Sequence, residues 1–305
     1  MDKLQQLPTA RWADKIIVRT NATNDDEAVI RKKLSGPLPD PFGVGMHELR
    51  KTAFEIQVIK QSAFFLETIL AAVNQPPRGI DVSRVHFLDL PNYRLFLGSG
   101  NDGQTMLGHC YLTRRPEDTA AEVFMLTHEL AHLASFLSII SESDDTTRRV
   151  TWKRSGYAIQ IRNRGTAFSG LNEAAAEILA GIVREMLTRK CSLLDKPTKK
   201  LLSKGYIYAP QVRIVQELNR LISEHEQLDD GAVLMSFISG FLNGKVHFLR
   251  FAERVVPGAS SILRAMGDSP NAALVAARAL NLTDIIEPIE EFVESQYGLQ
   301  KNEND

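Results

Sequence analysis

The pattern of apolar and polar positions divides the chain into stretches of different period. Residues 1–45 show no sustained period, and Ser35-Gly36-Pro37-Leu38-Pro39-Asp40-Pro41 reads as loop. From residue 46 to 74 apolar side chains recur at helical spacing, through Leu49, Phe54, Ile56, Ile59, Phe64, Phe65 and Ile69. Three β-leaning stretches follow, at 85–90, 93–97 and 105–113, with Asn101-Asp102-Gly103 as a hairpin turn between the last two. Residues 119–140 are apolar on nearly every side and predict a buried helix, which starts after Pro116 with Thr119-x-x-Glu122 as a capping box. Residues 148–163 return to strand character, and a second apolar helix runs from about 171 to 190. From Pro210, at a first helical position, to about Ser295 the pattern is helix upon helix.

Three ionisable side chains sit inside the helix of residues 119–140, in the run His128-Glu129-Leu130-Ala131-His132. Buried without partners they would cost on the order of 2–7 kcal/mol for a neutral group and more for a charge. His128 and His132 are i and i+4, so both imidazoles leave one face and can grip one metal ion. Glu129 stands one residue further round, beside such an ion, where it can take a proton from a bound water. The next apolar helix contains Leu171-Asn172-Glu173-Ala174-Ala175-Ala176-Glu177, with two carboxylates again one turn apart. Like charges at that spacing repel, and burial worsens the repulsion unless a cation lies opposite. A metal on His128 and His132 would be that cation. Glu173 then supplies a third ligand and leaves one tetrahedral position open, as a catalytic zinc site needs. Glu177, with Asn172 beside Glu173, stands behind the ligands and can accept a hydrogen bond from the far nitrogen of a zinc-bound histidine. The bland alternatives are two histidines hydrogen-bonded within a core helix and two glutamates solvated on an alanine-rich surface. Each segment weakens the bland reading of the other.

His-Glu-x-x-His followed by Asn-Glu-x-x-x-Glu resembles the gluzincin metallopeptidases, the thermolysin-like group, over residues 85–190. The resemblance implies His128, His132 and Glu173 as zinc ligands and Glu129 as general base. It also implies an α+β fold: a zincin-like region, with a mixed or antiparallel sheet, an edge strand and an active-site helix, followed by a mainly helical part. Glu177 stands where thermolysin-like enzymes have an aspartate. The 41 positions from His132 to Glu173 exceed the spacing in that group. The alternative zincin pattern, with a third histidine six residues after the second, is absent, because position 138 is Ser. By the same resemblance the stretch around Gly108, His109 and Cys110 matches the edge strand that holds an extended peptide through its backbone. An oxyanion donor is expected from the helical half, and Tyr206 and Tyr208, in the loop before Pro210, are the leading candidates, ahead of His225 and His247. Taken alone, His109 reads as an ordinary strand side chain, and His47, His86, His225 and His247 have no partner spacing.

At 305 residues the chain holds one large domain or two modest ones. The organisation expected is an N-terminal extension at 1–45, a catalytic region with both metal helices at 46–190, a helical part at 191–297 and a polar tail at 298–305. A formal charge of −1 gives no global bias toward nucleic acid or anionic membrane. One local block is basic, through Arg148, Arg149, Lys153, Arg154, Arg162 and Arg164, and reads as a solvated hairpin or as a patch that steers an acidic peptide or contacts nucleic acid. Cys110 and Cys191 make no disulfide framework. Met-Asp-Lys-Leu-Gln-Gln-Leu-Pro lacks the apolar core of a secretory signal, and the longest apolar run, 232–242, is too short to span a bilayer. The expectation is therefore a cytoplasmic zinc peptidase acting on a peptide or protein, without membrane or nucleic-acid partner. Its rivals are a regulatory protease that cuts a single cellular partner and a binding module with non-catalytic zinc. The presence of Glu129 speaks against the module, since a purely structural site needs no base.

Overall fold

The computed structural model describes residues 12–20, 29, 31–32, 34, 40, 42–98, 102–115, 117–143, 148–161, 165–192, 194–202 and 207–301. The fold is α+β, with eleven helices and eight strands among the described residues. Two compact units share the chain: residues 1–153 with 180–204, and 154–179 with 205–305.

The first unit opens with β1 (Lys15–Thr20), followed by α1 (Ala53–Ala72), β2 (Val85–Leu88), α2 (Leu90–Leu97), β3 (Gly103–Met106) and β4 (His109–Thr113). It continues with α3 (Thr119–Ala134), β5 (Leu137–Ser143) and most of β6 (Arg148–Ser155). α1 starts in a full capping box, in which Thr52 accepts from the Glu55 amide and Glu55 from the Thr52 amide. Residues 93–97, expected as strand, belong to α2: Asp89 caps it by accepting from the Asn92 amide, and Pro91 lies in its first turn. Of the expected turn Asn101-Asp102-Gly103, Asn101 lies outside the described residues and Gly103 already belongs to β3. The β3–β4 turn is Leu107-Gly108, both at positive φ (48° and 89°), as a two-residue hairpin requires.

β4 lies between β2, its parallel partner, and β3, its antiparallel one. The register pairs Gly103 with Leu112 and Thr105 with Cys110. On the other face of this sheet Leu88 and Tyr111 pack with Val44 and Tyr93. The helix of residues 119–140 proves shorter than its apolar pattern suggested. α3 is capped by Asp118 rather than Thr119 and stops at Ala134, after which β5 pairs in parallel with β1. A buried helix followed by a buried strand leaves one unbroken apolar run, so period alone cannot show the boundary.

β1 also changes the expectation of an N-terminal extension at 1–45. Trp12 is buried with Leu34 and Ile139, and its indole N–H donates to the Leu34 carbonyl at 2.6 Å. Asp14 accepts from the Leu137 amide at 2.8 Å and from the buried guanidinium of Arg78 at 2.9 Å. Trp12 and Leu34 thus belong to the unit's core.

In the second unit, the end of β6 pairs with β7 (Ala158–Ile161), and β7 with β8 (Gly165–Ala167), all antiparallel. Tyr157, in the β6–β7 turn, stacks on Phe237 at 5.2 Å and donates its hydroxyl to the Phe237 carbonyl at 2.9 Å. α4 (Ser169–Lys190) contributes residues up to Leu179 to this unit and the remainder to the first, where the short α5 (Lys196–Leu202) also lies. The helical stretch expected from Pro210 is α6 (Ala209–Glu226), α7 (Asp230–Asn243), α8 (His247–Val255), α9 (Ala259–Ala265), α10 (Pro270–Ala279) and α11 (Thr283–Lys301). Pro210 lies in the first turn of α6. Among the described residues no helix is long and apolar enough to cross a membrane.

Candidate metal centre

α3 presents its ionisable residues where the i, i+4 rule places them. His128 is buried and His132 half-buried, with their Nε2 atoms 3.1 Å apart and the rings 4.8 Å apart at 80°. Two nitrogens bound to one zinc at about 2.0–2.1 Å in tetrahedral geometry stand about 3.3 Å apart, so the pair is spaced as ligands of one ion. Glu173 completes the group: one ligand atom from each of His128, His132 and Glu173 lies within 4.8 Å of the other two. It is the one group of this kind among the described residues. Two imidazoles and a carboxylate are a donor set that suits zinc.

Glu173 lies on α4. Farther along the same helix Arg184 is buried against α3, donating to Thr127 Oγ1 at 3.3 Å, with its guanidinium 4.3 Å from the centre of the Phe124 ring. Glu177, one turn beyond Glu173, is fully buried and accepts from the Ile207 amide at 3.1 Å. That bond anchors the segment leading into α6, a role the spacing of the two glutamates did not suggest. Asn172 likewise has a task in the backbone: its side-chain carbonyl accepts from the amides of Tyr157 and Ala158, at 3.0 and 3.3 Å, and fixes the β6–β7 turn.

Glu129 is 8 % exposed and packs against β3. Its Oε2 lies 2.8 Å from the Thr105 hydroxyl, and a Cβ on Gly103 would stand only 2.9 Å from its Oε1. The sequence marks Gly103 only as part of a turn and Thr105 only as the start of a strand, neither as a neighbour of Glu129.

The edge-strand expectation needs correction. His109 and Cys110 lie on β4, the interior strand of its sheet, with backbone partners on both sides, and Gly108 is in the turn. The edge is β3. Burial pushes the Cys110 thiol well above its ordinary pKa, and the Glu129 charge adds to the rise, so Cys110 is a protonated core residue. His109 has partners that no local spacing reveals. Its Nδ1 is 2.9 Å from His86 Nε2, and His86 Nδ1 is 3.0 Å from Glu48 Oε2. These residues meet because β2 and β4 pair, although His86 and His109 stand 23 positions apart.

Tyr206 lies outside the described residues, while Tyr208 is half-buried at the N-cap of α6. His225 is exposed near the end of α6 and His247 exposed at the start of α8. His47 packs on Phe96 at 5.2 Å. Of the basic block, Arg162 and Arg164 are outside the described residues, and Arg154 donates to the Gly156 carbonyl at 2.8 Å within its own turn. No protein-family model, curated protein or solved structure matches the chain.

Proposed function

We propose that this protein is a zinc-dependent peptidase of the zincin kind, with His128, His132 and Glu173 as ligands and Glu129 as general base. The observation that carries the reading is the convergence of these three ligand side chains, from helices whose ligands are 41 positions apart, beside a glutamate that the motif places next to them. Two histidines satisfied within a core helix would not call for a carboxylate from a second helix at the same point. Zinc held there would supply a Lewis acid for a water molecule and for the carbonyl of the bond to be cut. Glu129 would serve as the base that takes a proton from the attacking water and returns it to the leaving amine. Tyr208, with Tyr206 as its near neighbour in sequence, is the candidate donor to the oxyanion. Among the described residues β3 has a strand partner on one side only, and its other side would offer backbone N–H and C=O groups to an extended peptide, so the substrate is a peptide or an unfolded protein segment. A cytoplasmic setting, without membrane or nucleic-acid partner, agrees with a chemistry that needs neither.

The test pairs metal analysis with hydrolysis of an unstructured protein such as casein. The purified protein should carry about one zinc per chain. Glu129→Gln should keep the zinc while hydrolysis falls by on the order of 10²–10⁴. Full zinc in His128→Ala, or a Glu129→Gln variant as active as wild type, would refute the proposal.

A further inference from the structure

A glutamate side chain has three rotatable torsions, and a base that wanders among rotamers is a poor base. The structure places two residues of β3 directly against this one. The strand register turns Gly103 and Thr105 to the face that meets α3. The Thr105 hydroxyl lies 2.8 Å from Glu129 Oε2 and 2.9 Å from the Glu129 main-chain carbonyl. One proton must serve whichever acceptor is stronger. The carbonyl lies within α3 and can draw on the helix ladder, whereas a bond to a carboxylate oxygen is charge-assisted and about twice as strong. Oε2 is therefore the partner. The other oxygen depends on a missing atom. A Cβ on Gly103 would stand 2.9 Å from Oε1, 3.0 Å from Glu129 Cγ and 3.2 Å from Leu112 Cδ2, so any larger residue would displace the carboxylate.

We infer that Gly103 and Thr105 form a cradle that fixes the Glu129 carboxylate, with Thr105 as a positioning residue and Gly103 as the gap that admits the second oxygen. The inference rests on reading Glu129 as the base. It gives the edge strand a second duty beside pairing with a peptide: the strand that would align the substrate also sets the group that acts on it. Displacing a reacting group by about 1 Å can cost about 10²-fold in rate, so the hold has consequences for turnover.

Three substitutions test it. Thr105→Val keeps the shape and loses the hydroxyl, Thr105→Ser keeps the hydroxyl, and Gly103→Ala fills the gap. With casein as substrate, Thr105→Val should lower kcat by about 10–100-fold at nearly unchanged KM and zinc content, and Thr105→Ser should restore most of the rate. A Thr105→Val enzyme with wild-type kcat overturns the positioning role. The second measurement needs no turnover: urea unfolding of Thr105→Val and Gly103→Ala, each made in wild type and in Glu129→Ala. Thr105→Val should raise the unfolding constant by about tenfold more in wild type than in Glu129→Ala, the size of one bond to a charged group. Gly103→Ala should cost more where Glu129 is present than in Glu129→Ala, where only Leu112 remains close. Equal costs in both backgrounds overturn the cradle whatever the activity. Coupled costs in a protein that cuts no casein leave the cradle standing and sink the peptidase reading instead.

Discussion

The roles of Glu173 and Glu177 can be separated by exchanging each for glutamine and measuring zinc affinity by competition with a chelator. Glu173 is half-buried and shares the ligand group with His128 and His132. Glu177 is fully buried and bonded to the Ile207 amide. A zinc site worth about 10–16 kcal/mol spread over four positions assigns each about 3 kcal/mol, so loss of the Glu173 carboxylate should weaken binding by on the order of 10²–10³-fold. Glutamine at position 177 keeps an acceptor for the Ile207 amide and removes only a charge behind the ligands. The expected loss is roughly 10–100-fold, the usual size for a group that acts through a ligand. In the zinc-free protein the same change weakens the charge-assisted bond to the Ile207 amide but also relieves the repulsion from Glu173, so stability should fall by less than the roughly 1–2 kcal/mol of the bond alone. Urea unfolding in the presence of chelator measures that term alone and keeps it apart from the affinity. Should Glu177→Gln cost more zinc affinity than Glu173→Gln, the two roles are exchanged. If neither change moves the affinity, α4 does not serve the metal and the ligand assignment falls with it.

Trp12→Ala should destabilise the first unit by about 3–5 kcal/mol, since it empties a buried position and removes the bond to the Leu34 carbonyl; a urea midpoint equal to wild type would return residues 12–20 to the status of a loose arm. Burial raises the Glu48 carboxyl, but the bonds from His86 and Lys51 outweigh it, so its pKa lies below the ordinary 4.5. A carboxylate with a depressed folded pKa adds stability that is present above the unfolded value and lost as pH falls through the folded one. Glu48→Gln should therefore lower the urea midpoint at pH 7 and leave little difference from wild type below the folded pKa. A deficit that is constant with pH would show that the ionised carboxylate is not what matters.

What could be read in the sequence follows from how local each feature is. His128, Glu129 and His132 are legible because a helix fixes the relation of i to i+4 whatever surrounds it, and the same holds for Glu173 and Glu177. The helical series after Pro210 is legible because each segment carries its own period. Strand pairing is not local. Whether 105–113 is an edge or an interior strand depends on β2, some twenty residues away, and the sequence around Gly108 reads the same in either case. The error at 93–97 had a different origin. A short apolar run is ambiguous between helix and strand, and here the Asp89 cap and Pro91 decided for the helix.

The same distinction explains which parts of the candidate site escaped notice. A metal group is recognised by side chains that are rare and costly in apolar surroundings, so two helices sufficed to announce it. The residues that lie against Glu129 are a threonine and a glycine, ordinary in any strand, and they stand out only by what lies across from them. Glu177 shows the converse. Its charge and spacing are conspicuous, yet one of its partners is the main-chain amide of Ile207, a group that no side-chain pattern encodes. Buried carboxylates must be satisfied, and the sequence states that requirement without naming the donor. A pattern of residues can therefore identify the chemistry at a site well before it identifies the scaffold, because chemistry needs particular side chains while support can come from any backbone that arrives in the right place.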